Sequence, residues 1–233
     1  MISKTIVAAI VLAGSGSVFS AKLVARFADQ YNPYQGDGSV AAGWPDQSDW
    51  GSYDQLWDAN VPLMQQSCGW NNWGDNNSDD EISAINTAIQ QVSGQSGVDA
   101  RFILAIVMQE SNGCVRVPTT NNGVRNPGLM QSHNGSGDCA GVSPCPSSEI
   151  LQMIQDGVVG TADGPGLQGT IQQAVSDTGD SSVREFYAGA RIYNSGSADY
   201  SNLDDGLGST ACYAEDVANR LTGWTLAASN CAA

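Results

Sequence analysis

Residues 105–137 read AIVMQESNGCVRVPTTNNGVRNPGLMQSHNGSG, a stretch in which an apolar helix runs into a segment rich in Gly, Asn and Thr. Ile103, Ile106 and Val107 lie on one face of this helix, and the next position of that face is Glu110. A carboxyl group held against apolar surface loses solvation of its charged form, so its pKa rises and it can stay protonated at about pH 5 to 6. We therefore expect Glu110 to be a general acid rather than a solvated residue at a helix end.

Most of the chain after Ser78 has a helical pattern. Ser78 and Glu81 form a capping box at the start of one helix, which we expect Gly94 and Gly97 to end. Apolar positions at helical spacing predict four later helices: Ser147 to Gly157, Leu167 to Val175, Val183 to Tyr193, and Cys212 to Leu221. Only CVRVPTT, residues 114–120, suggests a strand. The predicted fold class is therefore mainly α, a helical domain with a small β region.

The N-terminus has the pattern of a secretory signal. Lys4 precedes an apolar run over residues 6–13, and small residues follow, so we interpret residues 1–20 as a signal peptide. Eight apolar residues are too few to span a bilayer. We divide the remaining chain into an N-terminal extension, residues 21–66, and a main domain, residues 67–233. The predicted product is secreted and monomeric, with no membrane partner after signal removal.

The extension and the residues just after it are rich in tryptophan. Residues 29–62 carry many Gly, Pro, Asp and aromatic residues with little helical periodicity, and five of the six tryptophans fall within a short stretch: Trp44, Trp50, Trp57, Trp70 and Trp73. Such aromatics could stack on sugar rings, but large aromatic side chains are usually buried for packing. We expect most of them to fix the extension onto the main domain, with one or two at a binding rim.

Six cysteines, an even number, predict three disulfides in a secreted protein. Six cysteines allow 15 pairings, and the sequence leaves the pairing open, although Cys139 and Cys145 could close a short local loop. We also expect Cys114 to be disulfide-bonded, because it follows the helix end that carries Glu110. His133 is the only histidine and no Cys-x-x-Cys occurs, so we expect no metal and no cofactor.

The charge of the chain excludes some partners. The formal net charge is −15, and residues 27–100 contain no Lys or Arg. Nucleic acids and anionic membrane surfaces attract basic patches, so neither is an expected partner. The simplest interpretation of the acidic surface is solubility in an acidic medium outside the cell.

Three short motifs in a fixed order carry a family resemblance. They are Glu110-Ser111 at the helix end, the Gly-Leu-Met-Gln stretch at 128–131, and the Tyr-Asn-Ser-Gly stretch at 193–196. In this order the chain resembles the lytic transglycosylase and goose-type lysozyme family, the SLT-domain group of glycoside hydrolase family 23. The resemblance covers roughly residues 80–225 and looks most like secreted fungal members. It implies a lysozyme-like α+β fold, with the β region flanking a substrate cleft.

The resemblance implies a role for each matched residue. Glu110 would be the catalytic acid, and the implied substrate-binding residues are Ser111, Gly128, Leu129, Met130, Gln131, Tyr193 and Asn194. Ser111 would hold the helix end, and Gln131 would offer its amide to a sugar. The Tyr193 hydroxyl would point at the glycosidic centre or at Glu110, and Asn194 would fix the local backbone. Ordinary core packing is the alternative for Met130 and Tyr193.

The chain also departs from the family pattern. VPTTNNGVRNP replaces the usual Ser and Gly-Ala signature before Gly128, and MIQDG replaces an Asn-Ile step, keeping only Ile154 and Gly157. Four acids, Asp138, Asp156, Asp163 and Asp199, could supply a base, but their spacing favours none. The resemblance implies cleavage of peptidoglycan between N-acetylmuramic acid and N-acetylglucosamine, with assistance from the substrate acetamido group. Chitin, and a non-catalytic sugar-binding or effector role, are the alternatives.

Overall fold

The computed structural model describes residues 28–231, which form a mainly helical domain with one small sheet. The described residues contain eight α-helices: α1 Tyr53–Met64, α2 Ser67–Trp70, α3 Asp79–Ser96, α4 Ala100–Ser111, α5 Ser147–Val159, α6 Leu167–Thr178, α7 Arg184–Ser195 and α8 Tyr213–Leu221. Strands β1 (Thr120–Asn121) and β2 (Arg125–Asn126) pair antiparallel. The predicted fold class, mainly α with a small β region, is confirmed. The predicted signal peptide, residues 1–20, lies outside the described residues.

Helix α4 lies at the centre of the core. Its residues 102–108 are all buried, and it packs against α1, α3 and α8. A helix that is apolar around its whole circumference is stable only when neighbours cover every side. The burial ends at the last turn, where Gln109 and Glu110 are partly exposed. Among the helices of residues 28–231, none is long and apolar enough to cross a membrane.

Two glycines that were predicted to interrupt helices lie inside them. Helix α3 continues through Gly94 and ends before Gly97, whose φ of 77° provides a left-handed cap. Helix α5 continues through Gly157 to Val159, so the predicted stop at Gly157 is wrong. A Cβ atom at Gly157 would lie 2.4 Å from the Met130 sulfur. This glycine therefore allows close approach between α5 and the 128–131 turn rather than ending the helix.

The N-terminal segment packs into the same core as the helices. Trp44 and Trp50 are buried, and the Trp50 indole donates a hydrogen bond to the Tyr187 hydroxyl on α7 at 2.9 Å. These two tryptophans have the predicted packing role, whereas Trp70 is 54% exposed. Helix α1 was not expected, because the stretch 29–62 has little helical periodicity.

The signal that marks α1 is a capping box. Ser52 accepts a hydrogen bond from the Gln55 backbone amide, and the Gln55 side chain accepts one from the Ser52 amide. Leu56 and Leu63 then face the core. The local cap, rather than the apolar periodicity, would have predicted this helix.

The predicted strand over residues 114–120 is also wrong for most of its length. Only Thr120 lies in β1, and the preceding residues form turns and loop. Val115 and Val117 are buried, and the Val115 amide donates to the Asn77 side chain at 3.1 Å. The alternation of apolar residues reflects a loop packed into the core, since a side chain rather than a strand partner satisfies its backbone.

Three disulfides join the six cysteines, as predicted: Cys68–Cys114, Cys139–Cys145 and Cys212–Cys231. The Cys139–Cys145 bond closes the expected local loop. The bond at Cys114 ties the chain just after α4 to α2, and the bond at Cys212 ties the start of α8 to the C-terminal segment. Disulfides therefore hold both the chain that leaves α4 and the chain that enters α8.

Candidate active site

The candidate site forms where the last turn of α4 meets the first turn of α8. Helix α4 ends at Ser111, and Asn112 and Gly113 follow with φ of 51° and 70°. This left-handed turn directs the chain away from the helix axis and leaves Glu110 partly exposed. The Tyr213 hydroxyl, on α8, donates a hydrogen bond to Glu110 Oε1 at 2.5 Å. A carboxyl and a phenol thus meet at the edge of the core.

The environment of Glu110 favours its protonated form. Burial raises the pKa of Glu110 to about 7, and the Tyr213 hydroxyl and the Arg220 guanidinium offset part of that rise. Burial and the neighbouring Glu110 raise the pKa of Tyr213 well above its ordinary value, so Tyr213 keeps its proton. Glu110 can therefore exchange a proton near neutral pH while Tyr213 remains a donor.

Tyr193 lies close to this pair but has a different hydrogen-bond partner. Its hydroxyl donates to the Met130 carbonyl oxygen at 2.8 Å. Burial, followed by the charge of Glu110, raises the pKa of Tyr193 above its ordinary value. The resemblance implied that Tyr193 points at Glu110 or at the glycosidic centre. In the structure, the tyrosine that is hydrogen-bonded to Glu110 is Tyr213, and Tyr193 holds the 128–131 turn.

Ser111 joins the end of α4 to the same turn. Its Oγ lies 2.8 Å from the carbonyl oxygens of both Val107 and Leu129, and it accepts a hydrogen bond from the Gly113 amide at 3.2 Å. These contacts hold the last turn of α4 to the 128–131 turn. Ser111, Leu129 and Met130 are all buried. They support the site from behind rather than offering surface to a ligand.

Gly128 has to be a glycine for two reasons. Its φ is 73°, and a Cβ atom there would lie 2.5 Å from Met153 Cγ on α5. A side chain at this position would therefore be strained by the backbone and blocked by α5. The close packing fixes the turn against α5.

Gln131 uses its side-chain amide within the protein. Its Oε1 accepts a hydrogen bond from the Thr120 hydroxyl at 2.9 Å, and its Nε2 donates to the Gly128 carbonyl oxygen at 3.1 Å. The amide therefore ties β1 to the turn, whereas the resemblance implied that it contacts a sugar. Gln131 is partly exposed, so one face of the side chain still reaches the surface.

Asn194 acts on the site through Arg191. The Asn194 side-chain oxygen accepts a hydrogen bond from Arg191 Nη2, and the Arg191 guanidinium carbon lies 5.7 Å from the centre of the Tyr213 ring. Arg191 is fully buried and also donates to the Thr210 carbonyl oxygen at 2.8 Å. Asn194 thus orients the cation that lies behind Tyr213.

Three residues of the site were missed from the sequence: Gln109, Tyr213 and Arg220. Arg220 Nε donates to Gln109 Oε1 at 2.7 Å, and Arg220 is one of the charges acting on Glu110. Tyr213 and Arg220 are seven positions apart, two helical turns, so they share a face of α8. The sequence contains that spacing, but no local pattern predicts that Tyr213 contacts Glu110, which lies 103 positions earlier.

Each of the four acids that could supply a base is hydrogen-bonded or ion-paired to residues other than Glu110. Asp156 accepts hydrogen bonds from the backbone amides at 136 and 137, and Asp138 pairs with Arg125 at 2.6 Å. Asp163 and Asp199 accept hydrogen bonds from Asn134 and from residue 201 respectively. These contacts stabilise the loops around the four acids.

Two surface cavities lie elsewhere. One, of about 410 Å³, is lined by residues of α3 and α5, and the other, of about 640 Å³, is lined by loop residues that include Asp204 and by Glu215 of α8. Glu110 lines neither cavity. We nevertheless place the candidate site at Glu110, because a carboxyl with a shifted pKa and an ordered hydrogen-bond donor has a defined chemistry, whereas cavity volume alone has none.

Comparison by sequence identifies no relative: no protein-family model matches the chain, and a search of curated proteins finds no match. The assignment of a function therefore depends on the chemistry of the site itself.

Proposed function

We propose that the protein is a secreted glycosidase in which Glu110 is the general acid. Its substrate would be the β-1,4 bond of peptidoglycan between N-acetylmuramic acid and N-acetylglucosamine. The observation that carries the proposal is the state of Glu110: a partly exposed carboxyl at the end of a buried helix, with a pKa of about 7 and a Tyr213 hydrogen bond. A general acid with a pKa near the working pH combines a large protonated fraction with a strong driving force for proton transfer.

The reaction begins with proton transfer. Glu110 gives its proton to the glycosidic oxygen as the bond from that oxygen to the sugar anomeric carbon breaks. The resemblance implies that the substrate acetamido oxygen attacks the anomeric carbon, which takes the place of a nucleophilic carboxylate. Water then displaces this group to give hydrolysis, or the muramic 6-hydroxyl displaces it to give a 1,6-anhydro product. In either case the Glu110 carboxylate recovers its proton from the attacking water or hydroxyl group.

Tyr213 has a defined part in this cycle. Its hydroxyl donates to Glu110, so it stabilises the carboxylate that remains after proton transfer more than the neutral acid. The same bond restricts the rotation of the carboxyl group. Holding an acid in one orientation reduces the entropy lost on reaching the transition state.

Export from the cell is the second part of the proposal. Three disulfides support it, because such bonds persist in oxidising compartments. The N-terminal pattern over residues 1–20 supports it independently. We propose that the mature protein acts as a monomer on an extracellular polysaccharide, without a cofactor and without a nucleic-acid partner.

Chitin is the second candidate substrate, and the charge of the protein favours it. A formal net charge of −15 gives no electrostatic steering toward anionic bacterial walls, whereas chitin carries no such charge. Chitin also contains the acetamido group that the mechanism uses. A sugar-binding protein without catalysis would use the same surface but release no product.

Mass spectrometry of products tests these possibilities together. The purified protein is incubated separately with peptidoglycan and with chitin oligomers, and Glu110→Gln is the matched control. Muropeptides released only by the wild-type protein would support the proposal, and their mass distinguishes hydrolysis from a 1,6-anhydro product. Release of fragments from chitin alone would show that the substrate is chitin rather than peptidoglycan. Sugar binding without product from either polymer would contradict the enzymatic proposal.

A further inference from the structure

A hydrogen-bonded network begins at Gln109, the residue before Glu110, and reaches the N-terminal segment. Gln109 is its centre: its Nε2 donates to Asp216 Oδ2 at 2.9 Å, and its Oε1 accepts from Arg220 Nε at 2.7 Å. The Tyr31 hydroxyl donates to Asp216 Oδ1 at 2.8 Å. Tyr31, Gln109, Asp216 and Arg220 are referred to below as the Arg220 network. It connects the segment before α1, the end of α4 and one face of α8.

Arg220 is an unusual member of this network because it is buried and incompletely paired. It is 8% exposed, and its Nη1 is buried without a hydrogen-bond partner among the described residues. Its guanidinium lies 4.5 Å from the centre of the Trp224 ring. A buried cation is costly unless nearby groups offset its charge.

The groups near Glu110 and near Arg220 determine how the Arg220 charge affects Glu110. Glu110 accepts a hydrogen bond from Tyr213 on α8, and Arg220, on the same face of α8, donates to Gln109, the neighbour of Glu110. The charge of Glu110 also acts on Tyr193 of α7. Gln109 joins Arg220 to Asp216, and Tyr31 of the N-terminal segment donates to the same Asp216 carboxylate. The charges of Asp216, Tyr213, Tyr31 and Glu110 act on Arg220. Burial lowers the pKa of Arg220 to about 10, which leaves it charged at any pH near neutrality.

We propose that Arg220 is a positioning residue whose fixed charge favours the carboxylate form of Glu110 against the effect of burial, and that Asp216, held by Tyr31 and Gln109, limits the effect of that charge. The inference rests on the proposed function, since it assigns a purpose to the protonation state of the acid. The cation favours the carboxylate and keeps burial from trapping Glu110 in its neutral form. The Asp216 carboxylate acts in the opposite sense, because it screens the cation.

Two charge-neutralising substitutions therefore have opposite effects. Arg220→Met removes the cation while filling similar space under Trp224, so the pKa of Glu110 should rise. Asp216→Asn removes the screening anion, so the pKa of Glu110 should fall. Asparagine can keep both hydrogen bonds of the network, because its carbonyl accepts from Gln109 and its amide can donate to the Tyr31 oxygen. Arg220→Lys keeps the charge and serves as the matched control.

Carbon-13 NMR titration of side-chain carboxyl groups measures these shifts without an assay of activity. The Glu110 signal is assigned by its absence in Glu110→Gln, and circular dichroism confirms that each variant is folded. We expect Arg220→Met to raise the pKa of Glu110 by about one unit, which is typical of a close opposite charge. Arg220→Lys should stay close to wild type, and Asp216→Asn should shift the pKa downward. An unchanged pKa in Arg220→Met, or shifts of the same sign in Arg220→Met and Asp216→Asn, would overturn the inference.

Turnover measured against pH separates this inference from the proposed function. If both hold, the loss of kcat/KM at high pH moves upward in Arg220→Met and downward in Asp216→Asn. If the NMR shifts appear but no polymer is cleaved, the inference about Arg220 and Asp216 is supported and the glycosidase proposal fails. If the polymer is cleaved and the NMR signal of Glu110 does not move, the glycosidase proposal stands and the inference about Arg220 is overturned.

Discussion

The Tyr213 hydroxyl donates to the Glu110 carboxyl at 2.5 Å, and this bond joins the first turn of α8 to the last turn of α4. The two residues are held independently. Disulfides tie Cys114, just after α4, and Cys212, just before Tyr213, to distant parts of the chain. The contact is therefore a product of tertiary structure, and it places a protonated phenol against an acid whose pKa is about 7.

Tyr213→Phe should change the chemistry more than the fold. It removes the hydrogen bond that favours the carboxylate, so the pKa of Glu110 should rise and the loss of activity at high pH should move upward. We also expect turnover to fall by about tenfold or more, since the acid is less well oriented. The measurement is kcat/KM as a function of pH. Tyr53→Phe, which loses a hydroxyl bonded to Asn86, is the control and should leave the pH profile in place.

The stability of the protein should also depend on Glu110. The folded-state pKa of about 7 lies above the unfolded value of about 4.3, so the native state binds more protons between these values. Stability that Glu110 contributes in acid is then lost as pH rises through 7. In Glu110→Gln this loss is absent, a difference on the order of 2 kcal/mol for a partly exposed side chain. Urea unfolding of both proteins at pH 4 and pH 8 measures it. Parallel changes with pH in the two proteins would contradict the assigned pKa.

The Cys68–Cys114 disulfide should matter for activity as well as stability. Its loop of 46 residues predicts a loss of about 4 kcal/mol on removal, against about 2 kcal/mol for the Cys139–Cys145 loop of 6. We expect the Cys68→Ser, Cys114→Ser protein to lose activity beyond its loss of folded fraction, because the bond holds the chain that leaves α4. The Cys139→Ser, Cys145→Ser protein is the control. Activity that tracks the folded fraction equally in both would rule out a special role for Cys114.

Two glycines inside helices make a matched pair. Gly157→Ala places a methyl group 2.4 Å from the Met130 sulfur, and it should destabilise the protein by about 1–3 kcal/mol. A methyl at Gly94 meets no atom within 4 Å, so Gly94→Ala should stabilise α3 by up to about 1 kcal/mol. Thermal unfolding measures both changes. Equal effects of the two substitutions would show that the approach of α5 to the 128–131 turn is not tight.

Helices α3 and α4 were predicted because their signals lie within the helices themselves. The capping box at Ser78 and the apolar face ending at Glu110 are encoded within single turns, and the structure contains both helices. Gly157 was misinterpreted because its role is a close approach to Met130, which no local pattern reports. Likewise, the buried loop at Val115 has the alternation of a strand.

The site was only partly predictable for a related reason. Glu110 was found because it occupies a core position on its own helix. Its partner Tyr213 and the cation Arg220 are distant in sequence, and only the packing of α8 on α4 brings them together. The residues of the 128–131 turn were identified by motif, but the motif does not indicate that Leu129 and Met130 are buried supports.

The most direct test of the account is the turnover of Glu110→Gln. Glutamine keeps the shape of the side chain and can still accept the Tyr213 hydrogen bond, but it has no proton to give to a leaving oxygen. Product release from peptidoglycan and from chitin oligomers is measured by mass spectrometry for the variant and the wild-type protein, with circular dichroism to confirm equal folding. We expect Glu110→Gln to lose about 10²–10⁴-fold in rate on whichever polymer the wild-type protein cleaves. Cleavage by a folded Glu110→Gln protein at close to the wild-type rate would contradict it.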